Sequence, residues 1–230
     1  MKQGIKKIFS EVPQTYELIN HILTFGLDIH WRKKAGKLAS EEGGDMWMDI
    51  CTGTGEMAFY LSSLAPEGTR IYAADFSLPM IRQAQERKDS ARINFIHSDI
   101  DTLPFPDNTF DLVTISFAVR NINLNPEKFL KSLKAIYGVL KPGGRFVSLE
   151  TSQPKSVLIR KLFHSYIRLT VKPVGYLISG SKSAYTYLSQ TIPRFYTAEE
   201  YAEIIQKAGF QKVTFRRMLF GATAIHKAVK

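Results

Sequence analysis

The stretch Met46-Trp47-Met48-Asp49-Ile50-Cys51-Thr52-Gly53-Thr54-Gly55 decides the fold of this chain. Its first five residues form an apolar run with one acid, which predicts a short buried strand, and Glu56 to Leu61 predicts the start of a helix. Gly53 and Gly55 lack a Cβ, so the backbone between them can turn sharply and approach a ligand at the positive end of the helix. The stretch therefore predicts a strand, a glycine-rich turn and a helix that bind a cofactor.

Two further acids follow strand-like runs downstream of the glycine turn. Asp75 ends the run Arg70 to Ala74, and Asp99 follows the run Ile93 to His97. Because the carboxyl ends of parallel strands meet at one edge of a sheet, we expect Asp49, Asp75 and Asp99 to surround one ligand. Asp75 is placed to accept from ribose hydroxyls and Asp99 to accept from an adenine amino group.

The glycine turn alone does not identify the cofactor. Gly53 to Ala58 fits the G-x-G-x-x-G/A pattern, and NAD and S-adenosylmethionine both carry a ribose. Asp49 would face the cationic methionyl end of S-adenosylmethionine, where NAD would present an anionic pyrophosphate. Three acids around one adenosyl group therefore favour S-adenosylmethionine. The structural alternatives are a tight strand-to-helix turn at the glycines and solvated caps at the acids.

The remaining chain alternates strands and helices, which predicts an α/β protein. The order is that of the Rossmann-like, seven-stranded methyltransferase fold, with a mainly parallel sheet and an antiparallel last strand. The predicted elements are a helix over Leu78 to Arg87, a strand over Phe110 to Ser116, a helix from Pro126 ended by Lys141 to Gly144, a strand over Arg145 to Leu149, a helix over Ala198 to Ala208, and a terminal hairpin of Lys212 to Phe215 and Ala222 to Ile225.

We expect one domain over residues 1–230. It divides into an N-terminal helical cap over 1–40, a cofactor-binding core over 41–150, a helical substrate lid over 151–196, and a last helix with the terminal hairpin over 197–230.

The expected lid is too long for a simple crossover between two strands. Apolar residues recur at helical spacing from Val157 to Leu169, beside Arg160 and Lys161, which predicts an amphipathic helix. Core packing is the structural alternative. The functional alternative is an apolar channel that opens near a membrane surface.

Composition agrees with one soluble enzyme domain, because 230 residues with 44% hydrophobic content can bury a substantial core. No apolar run approaches the roughly 18 residues that span a bilayer, and the start of the chain lacks the apolar region of a signal peptide. We therefore expect a cytoplasmic protein. Cys51 is the single cysteine and the five histidines are scattered, so the sequence predicts neither a disulfide nor a metal site.

The net charge of +10 suggests an anionic partner, but the basic residues are dispersed in pairs such as Lys6-Lys7 and Arg216-Arg217. Enzymes that methylate base amino groups need an Asn/Asp-Pro-Pro-aromatic turn after the fourth strand, where this chain has Ser116 to Asn121. We therefore expect no nucleic-acid substrate. Attraction to anionic lipid headgroups, at about 1 kcal/mol for each nearby Lys or Arg, and a merely solvated basic face remain open.

Several sequence blocks resemble the ubiquinone/menaquinone biosynthesis C-methyltransferase family, over about Tyr16 to His226. The blocks are Tyr16 to Asn20 with Trp31, Leu103 to Asp111, Ser116 to Asn121, and Leu140 to Pro154. The chain departs from the family pattern at Glu17, Asp28 and Gly138. The resemblance implies that Thr54, Asp75, Asp99, Ile100 and Ser116 contact S-adenosylmethionine.

The resemblance also implies a lipidic quinol substrate and methylation of a ring carbon. The block Leu149 to Pro154 looks more like the menaquinone branch, which favours demethylmenaquinol as the acceptor. Another small aromatic or prenylated acceptor, a nicotinamide oxidoreductase and a non-catalytic lipid-binding protein are the alternatives.

No residue is identified as the catalytic base, and the sequence does not decide between a monomer and a homodimer. Arg120 and Asn121 follow the fourth strand and would lie beside the methyl group, where they can donate to a quinol oxygen. The candidate substrate residues are Tyr16, Asn20, Arg120, Asn121, Tyr185, Tyr187 and His226.

Overall fold

The computed structural model describes residues 13–123 and 125–230, and one seven-stranded sheet organises them. The strands are β1 (Met46–Ile50), β2 (Arg70–Asp75), β3 (Ile93–His97), β4 (Phe110–Ser116), β5 (Leu140–Thr151), β6 (Gln211–Met218) and β7 (Thr223–Val229). They lie in the order β3-β2-β1-β4-β5-β7-β6. β7 runs antiparallel to both β5 and β6, whereas the pairs among β1 to β5 are parallel. The predicted fold class is confirmed.

Helices cover the sheet and extend beyond it. The α-helices of the described residues are α1 (Pro13–Thr24), α2 (Leu27–Ser40), α3 (Glu56–Leu64), α4 (Leu78–Gln85), α5 (Val119–Ile122), α6 (Pro126–Val139), α7 (Val157–Ser179), α8 (Lys182–Thr191) and α9 (Ala198–Lys207).

Side chains at the helix ends explain several of these boundaries. Asn125 caps α6 by accepting from the Lys128 N–H at 2.8 Å, and Pro126 has a backbone angle suited to the first helical position. α9 begins with a capping box between Thr197 and Glu200. α7 ends at Gly180, whose positive φ of 71° suits a residue without a Cβ.

The main core lies between the sheet and the helices that follow its strands. Trp47, Phe110, Phe129, Phe146 and Tyr201 are among its largest fully buried side chains. Such aromatic side chains contribute a large share of the burial free energy of a domain. The sheet is therefore a fixed platform for the loops at its edge.

α7 and α8 form a helical insert between β5 and α9, and this insert packs with α1 in a separate apolar cluster. Ile19 from α1, Ile167 and Val171 from α7, and Tyr185 and Leu188 from α8 are buried together there. At Gly175 the helices approach so closely that a Cβ would lie 2.0 Å from the Tyr185 ring. The amphipathic helix predicted near Val157 is confirmed and extends to Ser179, and α8 follows it.

The predicted end of α6 is confirmed, but β5 begins earlier than the expected Arg145. Leu140 already pairs with Phe110, and the register shifts before Arg145 pairs with Leu112. The intervening Lys141 to Gly144 segment is held by the chain terminus, because the Gly143 N–H donates to the Lys230 carbonyl at 2.9 Å. This long-range pairing could not be read from the local sequence.

Candidate active site

A cavity of about 260 Å³ opens at the carboxyl edge of the sheet, beside the ends of β1, β2, β3 and β4. Its wall includes the turn after β1, the acids after β2 and β3, and the first residues after β4. In open α/β folds this edge is where ligands bind. The sequence-predicted residues in the wall are Tyr16, Gly53, Thr54, Asp75, Asp99, Ile100, Ser116 and Asn121.

The turn after β1 depends on left-handed backbone conformations. Cys51, Gly53 and Gly55 have φ angles of 52°, 57° and 87°. A Cβ at Gly55 would also lie 2.8 Å from the Phe59 ring, so this position combines a positive φ with close packing. Gly55 lies outside the cavity wall formed by the described residues and shapes the turn that precedes α3.

Asp75 ends β2 and holds the glycine turn against it. One carboxylate oxygen accepts from the Gly53 N–H at 2.9 Å, and the other accepts from the Ser77 N–H at 2.8 Å. Burial raises the pKa of Asp75, and the backbone hydrogen bonds oppose that rise. Each oxygen keeps a second lone pair, so the carboxylate can still accept from a ligand hydroxyl.

Asp49 does not reach the cavity, in contrast to the expectation that it faces the methionyl end of the cofactor. Its carboxylate is fully buried and accepts from the hydroxyls of Thr52 and Thr114, both at 2.6 Å. Burial raises the pKa of Asp49 to about 6, against the lowering effect of those hydroxyls and of the Arg32 charge. These two hydrogen bonds tie Thr52, in the turn, to Thr114 on β4.

The ends of β3 and β4 complete the cofactor side of the cavity. Asp99 and Ile100 line it after β3, where an Asp99 oxygen also accepts from the Asp101 N–H at 3.3 Å. Ser116 ends β4 and lies in the same wall. The structure therefore brings together Asp75, Asp99, Ile100 and Ser116 from three strand ends.

A second cavity of about 90 Å³ adjoins the first, and Tyr16, Arg32 and Phe117 line both. Its other walls come mainly from α1, α2 and the helical insert, and they include the predicted residues Asn20 and Arg120. Leu23, Trp31, Phe163, Ile167, Val171, Leu188 and Ile192 give the second cavity its apolar lining.

Arg120 enters the second cavity as a buried cation. Its guanidinium Nη1 donates to Glu150 Oε1 at 2.7 Å, and its backbone N–H donates to Glu150 Oε2 at 3.2 Å. Burial has the largest single effect on the pKa of Arg120 and lowers it, but the Glu150 charge and hydrogen bond together with Tyr16 and Tyr187 make the net shift upward. Arg120 therefore stays charged, and its Nε has no hydrogen-bond partner among the described residues. Asn121 lines the first cavity, and its buried Oδ1 also lacks a partner within residues 13–123 and 125–230.

Three predicted substrate residues lie outside both cavity walls. Tyr185 is buried between α7 and α8, and Tyr187 packs with Tyr16 against Met80. His226 is buried under α9, where its Nε2 lies 2.8 Å from the Ala198 carbonyl oxygen. In this structure the three side chains make packing contacts and line neither cavity.

Arg32 lines both cavities, although it is not among the residues predicted from the sequence. This residue is 5% exposed and belongs to α2, far along the chain from the strand ends that it faces. No motif in the chain marks it as a ligand. Its position one residue after Trp31, in the block that resembles a family signature, is the signal that could have identified it.

The sheet order, the antiparallel seventh strand and the acid-flanked glycine turn define the class of S-adenosylmethionine-dependent methyltransferases. Comparison with known sequences gives the family. The chain belongs to the ubiE/COQ5 methyltransferase family, whose sequence model matches residues 1–230. The predicted family and enzyme class are thus confirmed, which argues against the oxidoreductase and lipid-binding alternatives.

Similar relatives span nearly the whole chain. A demethylmenaquinone methyltransferase of Thermus thermophilus is 38% identical and covers 95% of this chain and 98% of its own length. The corresponding enzyme of Lactiplantibacillus plantarum is 36% identical, with coverages of 99% and 96%. A ubiquinone/menaquinone biosynthesis C-methyltransferase of Desulfotalea psychrophila is 33% identical, with coverages of 99% and 90%.

Solved structures show the same fold at lower identity. A SAM-dependent methyltransferase from Thermotoga maritima matches with a TM-score of 0.69 at 20% identity, covering 98% of this chain and 99% of that one. A SAM-dependent methyltransferase from Aquifex aeolicus matches with a TM-score of 0.59 at 20% identity, with coverages of 100% and 98%.

Proposed function

We propose that this chain uses S-adenosylmethionine to methylate a ring carbon of a reduced prenylated quinol, with demethylmenaquinol as acceptor and menaquinol as product. The names of its relatives support the substrate class. The observation that carries the proposal is the pair of adjoining cavities, one walled by polar strand ends and the other by apolar helices. Tyr16, Arg32 and Phe117 lie at their boundary. This arrangement suits a polar cofactor that meets a lipidic acceptor.

The residues of the first cavity fit S-adenosylmethionine. Asp75 and Asp99 offer carboxylate oxygens to hydroxyl and amino groups, and the orphaned Oδ1 of Asn121 can accept from an ammonium group. The proposed contacts are Gly53, Thr54, Asp75, Asp99, Ile100 and Ser116. Asp49 and Gly55 act through the shape of the turn.

When bound, S-adenosylmethionine supplies a methyl group on a cationic sulfur. The acceptor must then be a nucleophile. A quinol ring carbon beside a hydroxyl gains electron density when that hydroxyl loses its proton, whereas an oxidised quinone has no such carbon. Burial of both reactants by Tyr16 and Phe117 would exclude water and hold the reacting atoms about 3–3.5 Å apart.

Arg120 supports an electrostatic role beside the acceptor. The quinol hydroxyl has an ordinary pKa near 10, so a neighbouring cation that stabilises the phenolate would favour its ionisation. Arg120 stays charged beside Glu150, and its buried Nε, which has no partner among the described residues, could donate to a quinol oxygen once the second cavity opens. We therefore include Arg120, with Tyr16, Asn20 and Asn121, among the proposed acceptor contacts.

The helical insert would act as a lid. A designed cavity of about 150 Å³ holds one benzene molecule, so a cavity of about 90 Å³ is too small for a two-ring quinol. The insert packs with α1 in an apolar cluster of its own, separate from the main core. Binding of the acceptor would thus require α7 and α8 to shift outward.

The outer face of this lid supports peripheral contact with a bilayer. Leu162, Leu169 and Leu177 of α7 are 63%, 71% and 85% exposed, and Phe25 beside them is 81% exposed. α7 carries Arg160, Lys161, Arg168 and Lys172 and no acidic residue. The described residues contain no helix long and apolar enough to cross a membrane. Apolar side chains beside cations are typical of helices that lie in an anionic interface.

Vesicle sedimentation tests the membrane contact. Vesicles with anionic lipid should retain the protein, and the double variant Leu162→Ser, Leu169→Ser should bind several-fold less, since each buried CH₂ contributes about 0.8 kcal/mol. Leu64→Ser, on the exposed surface of α3, is the matched control and should bind like the unmodified chain. Equal binding of all three proteins would contradict this contact.

Transfer of a labelled methyl group tests the reaction. The protein is incubated with labelled S-adenosylmethionine and a short-chain demethylmenaquinone, with and without a reductant. We expect product only under reduction, because only the quinol has a nucleophilic carbon. Equal product from the oxidised quinone would contradict the proposed chemistry. Cofactor binding without any product would direct the search to other small aromatic or prenylated acceptors.

A further inference from the structure

Arg32 is a buried cation with a free donor in the wall of the first cavity. Its Nη1 donates to Asp28 Oδ2 at 2.5 Å, and Asp28 is itself only 1% exposed. The guanidinium carbon lies 5.0 Å from the centre of the Phe117 ring, at the end of β4. Its buried Nε has no hydrogen-bond partner in the described part of the chain. A buried N–H without a partner is unfavourable, and a ligand that accepts from it would remove this cost.

Asp28, the partner of Arg32, is fixed from several sides. Thr24 Oγ1 donates to Asp28 Oδ1 at 2.7 Å, and His21 Nδ1 lies 2.9 Å from Oδ2. These contacts tie the carboxylate to α1 while it orients the guanidinium from α2. Because Asp28 uses Nη1, the Nε and Nη2 donors on the other edge of the guanidinium are left without a hydrogen bond to the described residues, and Arg32 lines the cavity.

The cations of the first cavity lie at two separate places. Among its described lining residues they are Arg32, Lys128 and Lys131. The two lysines belong to α6, whose Ser132 donates to Asp101 at 2.6 Å, two residues beyond Asp99. Arg32 instead lies beside Phe117, which follows β4, and its positive charge lowers the pKa of Asp49, near the end of β1. A ligand whose adenosyl group lies at Asp75 and Asp99 would extend its other end toward Arg32.

We infer that Arg32 binds the α-carboxylate of the cofactor through its Nε edge and that Asp28 is the positioning residue that aims it. The inference rests on the proposed orientation of the cofactor. A guanidinium fork matches a carboxylate in geometry as well as charge, which a lysine does not. The enzyme should therefore discriminate against an adenosyl sulfonium that lacks this carboxylate.

Calorimetric titration of two ligands tests the inference without any acceptor. The ligands are S-adenosylmethionine and decarboxylated S-adenosylmethionine, which differ by the carboxylate alone. The unmodified protein should prefer the carboxylated ligand by about 10-fold to 150-fold, the range expected of charge-assisted hydrogen bonds. In Arg32→Met this preference should vanish because only the carboxylated ligand loses affinity. Arg32→Lys should keep part of the preference.

Two further variants separate contact from structure. Asp28→Asn should reduce the ratio of the two affinities, whereas a purely structural Asp28 would change both affinities equally. Arg82→Met, on the exposed face of α4, is the control and should leave the ratio unchanged.

Equal affinities of the unmodified protein for the two ligands would overturn the inference, and this measurement needs no variant to fold. An undiminished preference in a folded Arg32→Met protein, or equal loss for both ligands, would also overturn it. Failure to methylate a quinol would leave these binding ratios untouched. The inference and the proposed reaction therefore fail separately.

Discussion

The two adjoining cavities are built in opposite ways. The first, of about 260 Å³, is walled by strand ends and turns whose polar groups bond to one another, as Asp75 does with the N–H groups of Gly53 and Ser77. The second, of about 90 Å³, is walled mainly by side chains of helices that pack in their own cluster. The first cavity is thus formed before any ligand arrives, whereas the proposed acceptor would require the second to open.

Removal of Asp75 should have the largest effect and should touch only the first cavity. Asp75→Ala is expected to weaken cofactor binding by about 1.5–3 kcal/mol, since charge-assisted hydrogen bonds to the ligand and the anchor of the glycine turn are both lost. Calorimetric titration with S-adenosylmethionine measures the change. At saturating cofactor, the KM for the acceptor should stay as in the unmodified protein. Unchanged cofactor affinity in a folded variant would contradict the site.

Acid should weaken the sheet through His226, which burial holds neutral. Burial lowers its pKa from 6.5 to about 4. The stability that the neutral ring contributes is therefore full above pH 6.5 and is lost as the pH falls through about 4. At pH 5 the loss is about 2 kcal/mol, at 1.36 kcal/mol per pH unit.

Urea unfolding at pH 7 and pH 5 measures this loss. In His226→Gln, an amide that does not titrate can still donate to the Ala198 carbonyl, so the difference between the two pH values should shrink. His30→Gln, at an exposed position of α2, is the control. A His226→Gln variant with the full pH dependence of the unmodified chain would exclude this histidine as the source.

A substitution at Gly175 should disturb the helices around the second cavity and leave the first cavity intact. Gly175→Ala would place a methyl group against the Tyr185 ring and should separate α7 from α8, with a loss of about 1–2 kcal/mol. Hydrogen exchange should become faster in the helical insert, while cofactor affinity should not change. Gly36→Ala, in α2, is the matched control. A Cβ at Gly36 would lie 3.6 Å from its nearest neighbour, Leu64 Cδ1, which is ordinary van der Waals contact. A parallel loss of cofactor affinity would show that the cavities are not independent.

The smallest effect should come from the surface ion pair at the root of the insert. Lys155 is 68% exposed at its side chain and lies 2.5 Å from Glu199 Oε1. Exposed pairs contribute about 0–1 kcal/mol, so Lys155→Ala should lower the free energy of unfolding by less than about 1 kcal/mol. Urea unfolding at low and high salt checks this. A larger loss that persists in high salt would mean that Lys155 stabilises the start of the insert through interactions other than the ion pair.

The sequence predicted the first cavity well because its residues follow strands. Asp75, Asp99 and Ser116 each end or follow a strand, so parallel pairing alone brings them to one edge. Asp49 does not line the cavity, because its side chain lies on the opposite face of β1 from that of Ile50, which does, and is bonded to Thr52 and Thr114. The sequence did not predict Arg32, which reaches the same edge from a helix with no local pattern that marks it.

The second cavity was harder to predict because helix packing decides it. Tyr185 and Tyr187 are separated by one residue on α8, and neither lines the cavity, since contacts with α7 and Met80 occupy them. Arg120 could be identified from its place after β4, but its Glu150 partner depends on the pairing of β4 with β5. Helical periodicity predicts that a side chain is buried, but it does not predict which residues it packs against.

Hydrogen exchange with the two ligands added in turn tests the contrast between the cavities most directly. S-adenosylhomocysteine alone should slow exchange in residues 50–55, 75–80 and 99–103 and should leave α7 and α8 unchanged. A short-chain reduced acceptor added next should alter exchange in α1, α7 and α8. If the cofactor product alone protected the helical insert as strongly as the glycine turn, or if the acceptor left the insert unaffected, the account of one formed and one closed cavity would be wrong.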